Sequence, residues 1–386
     1  MSNKLEARIK NYHSIQRELK PFIFKPAVNL ADTFKKRKFY NSECIAKDVL
    51  AKSIHIKSLA GTPSKHADIL FAELTDKLLS TPAKNGIGLV VKKSPLNYTS
   101  LFSIGNKIDS TIVKETELDA LNEIYFLELI RKLLLNKITN FLPFLYTYYI
   151  CDSCKFYNKY VNKQIQAESY IPFVEKSPCV YLITEKAGGD LEHFIKKKST
   201  TKKQLFSGYL QIFIALYVIK KYFGIEHNDL HLNNVLYFNV KPGGYWKYRI
   251  KNKTIYVPNY GTLFVLWDFG YSFIPGKVEY LENTDVYRKI NKKGPPHPFP
   301  DFLRVSEGIT SLNKKFRGVS DFLYTALASS KNIIDLIIRV YDVVIYHDRK
   351  LRNHYENTVK NSVKSTGKTE ARLNIIETFN TNKKLK

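Results

Sequence analysis

Residues 225–238 read IEHNDLHLNNVLYF, with two histidines, one aspartate and three asparagines set between apolar flanks. Further on, WDFG supplies a second isolated aspartate, Asp268. These residue types define the available chemistry. A carboxylate such as Asp229 can orient a hydroxyl and take its proton. Carboxylate and amide oxygens are also the hard donors that small divalent cations prefer. The apolar flanks are rich in β-branched and aromatic residues, which predicts a strand–loop–strand unit. A polar loop held between two buried strands is a common seat of catalysis, because the strands fix what the loop presents.

The spacing is more informative than the composition. His227, Asp229 and Asn234 follow H-x-D-x-x-x-x-N, and Asp268, Phe269 and Gly270 follow a strand-like run. Alone, each has an ordinary explanation: a turn after a buried strand, or a polar loop whose asparagines make local turns. Their order, the strands before them and the helical pattern after them give the pair weight. On these motifs the chain resembles the protein-kinase superfamily, from about residue 56 to about residue 350. The resemblance implies an α+β, bilobal protein-kinase-like fold, with a small β-rich N-lobe carrying one long helix and a larger, mainly helical C-lobe. It implies ATP as phosphoryl donor with Mg2+, or Mn2+, as the metal. Asp229 is then the base, Asn234 and Asp268 the metal ligands, and His227 a structural brace.

The same resemblance assigns residues upstream. LVVK (89–92) matches the strand carrying the phosphate-binding lysine, Lys92; Lys93 is its rival, on the opposite sheet face. Surface positions are the ordinary alternative for both. A helical pattern over 115–137 offers Glu123 as the partner of Lys92, with Glu128 second. TEKAGGD (184–190) matches the inter-lobe hinge, with Thr184 at the adenine pocket, backbone groups from Glu185 to Ala187 at the base edge, and Asp190 at the ribose. A plain glycine turn is the alternative. LAGTPSKHADI (59–69) lies where a Gly-rich phosphate loop belongs but has one glycine, so it does not promise tight ATP binding.

Three features depart from the common pattern. His231 stands two residues after Asp229, where Ser/Thr kinases usually carry lysine, and so joins the candidate catalytic residues. HxDLHxxN is more typical of aminoglycoside- and choline-kinase-like phosphotransferases and of haspin-like kinases. The interval between Asn234 and Asp268 is long and reads as an inserted hairpin over 239–262 with Pro-Gly-Gly and Pro-Asn-Tyr-Gly turns. No Ala-Pro-Glu closes the activation segment; GPPHPFPD (294–301) occupies that region, with Asp301 expected to anchor the following helix. The histidine, the hairpin and an AT-rich residue profile resemble serine/threonine protein kinases of large nucleocytoplasmic DNA viruses.

The 386 residues are 44% hydrophobic, enough for a sizeable core. The sequence predicts a basic helical extension over 1–55, an N-lobe over 56–186, a C-lobe over 187–353 and a basic flexible tail over 354–386. No apolar run is long enough for a transmembrane segment, and the charged start lacks a signal-peptide core. An intracellular location is expected, in host cytoplasm or virion if the chain is viral. Sixty-one Lys+Arg against 35 Asp+Glu give a net charge of +26. Such a field suits nucleic acid or acidic virion or host proteins, although net charge specifies function weakly. Four cysteines without a second metal-type pair read as reduced thiols.

The leading expectation is a serine/threonine protein kinase acting on protein substrates. Two alternatives stay beside it: a small-molecule phosphotransferase, on HNDLH, and a basic pseudokinase scaffold, on the poor Gly-rich loop and the charge.

Overall fold

The computed structural model describes residues 4–19, 54–59, 67–74, 88–95, 115–154, 177–275, 298–363 and 373–385. It has the α+β, two-lobed architecture of a kinase domain. Helix α1 (Leu5–Leu19) is followed by strands β1 (Ile54–Leu59), β2 (Asp68–Leu74) and β3 (Gly88–Pro95), helix α2 (Glu115–Leu135), β4 (Leu145–Cys154) and β5 (Ser177–Glu185). The strands form one antiparallel sheet in the order β1-β2-β3-β5-β4. Strand β3 reads GLVVKKSP, β-branched at its centre, and sits between two neighbours, where such residues pack well. In α2, Ile124, Leu127, Ile130 and Leu134 recur at helical spacing and are fully buried.

Strands β4 and β5 set Cys151 opposite Cys179, and Cys179 is disulfide-bonded. This corrects the reduced-thiol expectation for Cys179. Strand register, which brings distant cysteines face to face, is invisible in their sequence spacing.

The C-lobe opens with β6 (Gly189–Asp190), α3 (Leu191–Lys196) and α4 (Lys202–Phe223). Helix α4 starts at a capping box between Thr201 and Gln204 and stops at Gly224, whose φ of 73° suits a left-handed C-cap. Every residue from Leu205 to Ile219 is buried, so α4 is the central helix of this lobe. Gly208 allows that: a Cβ there would lie 2.7 Å from a ring carbon of Phe264.

Strands β7 (Val235–Asn239), β8 (Tyr245–Ile250), β9 (Lys253–Pro258) and β10 (Thr262–Leu266) follow. β7 pairs with β10 and β6, while β8 and β9 form a separate hairpin between them in the chain. The remaining elements are α5 (Pro300–Ser306), α6 (Ile309–Leu312), α7 (Arg317–Ser329), α8 (Ile333–His347), α9 (Arg349–Val363) and β11 (Ile375–Asn380).

The chain after 353 is not simply a flexible tail. It includes most of α9 and the strand β11, which pairs parallel to β8. Phe379 is buried and stacks on Tyr248 at 4.8 Å. IIETFN alone is too short and polar to announce itself; the exposed edge of β8 supplies its ladder. At the other end, α1 buries Leu5, Arg8, Tyr12 and Ile15 along one face. The basic run 34–40 lies outside the described residues. No helix among the described residues is long and apolar enough to cross a membrane.

Candidate active site

The 227–234 loop is fastened from below. Asp301, in the first turn of α5, accepts the backbone N–H groups of His227 (2.7 Å) and Asn228 (2.8 Å). A reversed loop cannot satisfy these donors within a ladder, so a buried carboxylate does it. Burial outweighs those hydrogen bonds and pushes the Asp301 carboxyl up to about 6. The sequence expectation had Asp301 anchor its own helix; its side chain instead holds the loop. Asn228 adopts φ 64°, a left-handed conformation that asparagine tolerates.

His227 is fully buried, and its Nε2 lies 2.8 Å from the carbonyl oxygen of Trp267. A carbonyl can only accept, so Nε2 carries the proton. Burial lowers the His227 pKa, which favours this neutral ring. The ring packs 4.7 Å from that of Phe269. Trp267 N–H returns a bond to Asn234 O at 2.8 Å. The loop and the segment carrying Asp268 are thus tied at three points. Asp268 itself has φ 59°.

Strand β3 delivers Lys92 to this junction. Its Nζ lies 2.8 Å from Glu123 Oε2 on α2 and 3.1 Å from Asp268 Oδ1. Burial pulls the Lys92 ammonium down, but Asp268 and Glu123 together outweigh it and hold its pKa above the ordinary value. Burial raises the Asp268 carboxyl, yet Lys92 wins there and keeps it below its ordinary value. Glu123 is pushed up to about 7 by burial, against the pull of Lys92. Lys93 points the other way and pairs with Asp68 at 2.8 Å, as strand alternation requires. Neither lysine is a surface residue. Glu128, the second candidate on α2, pairs with Arg131 instead.

At the far side of the cleft, Asn234 Nδ2 donates to Asp229 O at 2.8 Å and Oδ2 at 3.3 Å. This leaves the Asn234 amide oxygen as a donor atom for another group. His231 Nε2 is 3.7 Å from Asp229 Oδ2, and an Arg304 terminal nitrogen is 3.0 Å from Asp229 Oδ1. Arg304, on α5, belongs to no motif. Nor does Asn122, whose Nδ2 donates to Gly270 O (2.6 Å) and Ser272 O (2.8 Å), locking the chain after Asp268 onto α2.

Residues 88–260 match the family model of the haspin-like kinase domain. Over this stretch the chain is similar to haspin-like protein kinases. Its similar proteins include a serine/threonine-protein kinase of Invertebrate iridescent virus 6, 28% identical over 189 residues, which are 46% of this chain and 34% of that protein. Another, from frog virus 3, is 30% identical over 135 residues, 34% of this chain and 14% of its own length. A third, from Acanthamoeba polyphaga mimivirus, is 28% identical over 144 residues, 35% of this chain and 30% of its own length. All three names are provisional. The chain matches about a third or less of each of these relatives, all from large DNA viruses.

The segment expected to form the hinge departs from that expectation in one respect. Thr184 is fully buried and its hydroxyl has no partner among the described residues. Glu185 is also buried, but its carboxylate turns inward to Arg8 of α1, so only its backbone remains for a base edge. Ala187 is half-buried against the core. Asp190 caps α3, accepting His193 N–H at 2.7 Å. Of the expected Gly-rich loop, residues 60–66 lie outside the described residues.

Proposed function

We propose that this chain is an ATP-dependent protein kinase that transfers the γ-phosphoryl group to Ser or Thr hydroxyls of protein substrates. The observation that carries the reading is the convergence on one cleft of Lys92, Glu123 and Asp268 from one side and Asp229 and Asn234 from the other. Lys92, held charged between two carboxylates, is suited to grip phosphate oxygens. The Thr184 hydroxyl has no partner among the described residues and lies at the end of β5; with Lys186 N–H already donating to Gly88 O at 3.3 Å, it is the other backbone groups of 185–187 that would meet a purine edge. Asp190 is near enough to the hinge to meet a ribose with the oxygen not used for capping.

Asp268 and the Asn234 amide oxygen are hard donors and suit Mg2+ or Mn2+, which would neutralise charge on the β- and γ-phosphates. The ionised Asp268 carboxyl agrees with such a role. Asp229 orients the acceptor hydroxyl and takes its proton as the oxygen attacks phosphorus. Its own orientation is set by Asn234 and Arg304, so the carboxylate is fixed before substrate arrives.

A small-molecule phosphotransferase reading has one specific feature, His231. Incubation with labelled ATP and Mg2+, offering basic and acidic proteins and a panel of amino-alcohols, separates the two. Label on protein Ser or Thr is expected; label on small molecules alone would replace the protein-kinase reading.

A further inference from the structure

Asp229 sits between two nitrogen donors that reach it from different elements. His231 comes from the loop, with Nε2 3.7 Å from Oδ2; Arg304 comes from α5, with a terminal nitrogen 3.0 Å from Oδ1. The two differ in charge. His231 Nδ1 accepts the N–H of Asn233 at 3.2 Å, so the ring that makes this bond carries its proton on Nε2, toward Asp229. At 3.7 Å that N–H lies just beyond hydrogen-bond reach of Oδ2. Arg304 is the permanent cation beside the carboxylate.

Arg304 is also incompletely used. Its Nε is buried and has no acceptor among the described residues, while its side chain as a whole is one-third exposed at the cleft. A buried N–H without an acceptor costs about 1–3 kcal/mol, a cost that a ligand oxygen would remove. A residue serving only to brace Asp229 has no need of that spare donor. The helix makes the placement firm, because Arg304 lies one turn after Asp301, which pins the loop backbone.

We propose that Arg304 is a phosphoryl-binding catalytic residue, its guanidinium donating hydrogen bonds to the oxygens of the γ-phosphoryl group during transfer. This rests on reading the site as an ATP-dependent kinase. In the step, the acceptor hydroxyl oxygen forms a bond to the γ-phosphorus. The bond from that phosphorus to the β,γ-bridging oxygen breaks, and its electron pair leaves with ADP. The hydroxyl proton passes to Asp229. Arg304 stays protonated throughout; as Asp229 is neutralised, its attraction shifts from the carboxylate to the phosphoryl oxygens. It thereby supplies, from α5, the positive charge that His231 does not supply from the loop.

The test is single-turnover transfer from ATP–Mg2+ to a protein acceptor by wild type, Arg304→Gln, Arg304→Lys and the double variant Arg304→Gln, His231→Lys, with ATP affinity and Tm measured alongside. Arg304→Gln is expected to slow transfer roughly 10²–10³-fold, as loss of a transition-state charge does, with ATP affinity and Tm nearly unchanged. Arg304→Lys retains more activity. Placing lysine at 231 in the Arg304→Gln background restores at least tenfold, since a cation returns beside the same carboxylate, on its Oδ2 side. Arg304→Gln within threefold of wild type overturns the proposal. So does a loss that His231→Lys leaves unrelieved, as a brace of Asp229 would give. A wild-type chain that transfers no phosphoryl group overturns the kinase reading beneath it, a separate and prior result.

Discussion

Arg8 Nε donates to Glu185 Oε1 across 2.9 Å, so the first helix grips the end of β5, next to the proposed hinge. The same guanidinium bonds Asn140 O and Oδ1 and Leu142 O, each at 2.7 Å, and lies over the ring of Phe144. Both members of the ion pair are 1% exposed. From the other end of the chain, Glu377 on β11 accepts Leu5 N–H at 2.6 Å and Glu6 N–H at 3.1 Å, capping α1. The hairpin completes the arrangement: Tyr248 OH meets Thr139 Oγ1 and Asn140 N–H, both at 3.1 Å. The first helix, the last strand and the β8–β9 hairpin therefore converge behind the end of β5.

Arg8→Met leaves the buried Glu185 carboxylate without its cation, keeping the Phe144 N–H bond at 3.0 Å. It is expected to lower stability by about 3–5 kcal/mol in urea titrations. Replacing both partners, Arg8→Met with Glu185→Leu, recovers much of that loss. A single-variant effect below about 1 kcal/mol would mean the pair does not hold the hinge.

Phe379→Ala tests the C-terminal strand. Removing a buried ring stacked on Tyr248 is expected to cost about 3–5 kcal/mol. Hydrogen exchange should then quicken along β8 as well as β11, since β11 covers the β8 edge. Unchanged protection of β8 would show that the strand does not depend on this contact.

Asp301 predicts a pH dependence with a definite sign. Its pKa rises from an ordinary 3.8 to about 6 in the folded chain. Between those values the native state binds the extra proton, so this group's contribution is fully present below pH 3.8 and is lost as pH rises toward 6. Comparing unfolding free energies of wild type and Asp301→Asn from pH 4 to 7, the wild type should lose roughly 2 kcal/mol relative to the variant. A constant difference would contradict the raised pKa.

Lys92 and Lys93 give a contrast from adjacent residues. Lys92→Met should reduce phosphoryl transfer by about 10²–10³-fold, because it removes a preorganised charge from the phosphate site. Lys93→Met removes the buried ion pair with Asp68 on the opposite face and should act on stability instead. Transfer rates and Tm for the two variants check this; similar kinetic losses in both would contradict the facing of the strand.

What the sequence made legible follows from how each residue reaches the site. Asp229, Asn234 and Asp268 lie on two short segments whose spacing is fixed by local backbone geometry, so a linear pattern carries them. Lys92 needed one further fact, the parity of a strand. Arg304, Asn122 and Arg8 arrive from helices whose docking is decided by tertiary packing, and single polar residues on helices carry no signal of their own. Glu185 shows the opposite failure. The sequence proposed it for the hinge, but could not show that its side chain turns inward, because the partner lies 177 residues away. The tail was misread for a related reason: β11 is a strand only because β8 offers it an edge.

The most direct measurement is single-turnover transfer from ATP–Mg2+ to a protein hydroxyl by wild type and Asp229→Asn, with ATP binding monitored in the same preparations. The expected result is label on Ser or Thr with wild type, a loss of about 10²–10⁴-fold in the variant, and ATP affinity within a few-fold in both. Transfer undiminished in Asp229→Asn, or none from a wild type that binds ATP, would contradict the account.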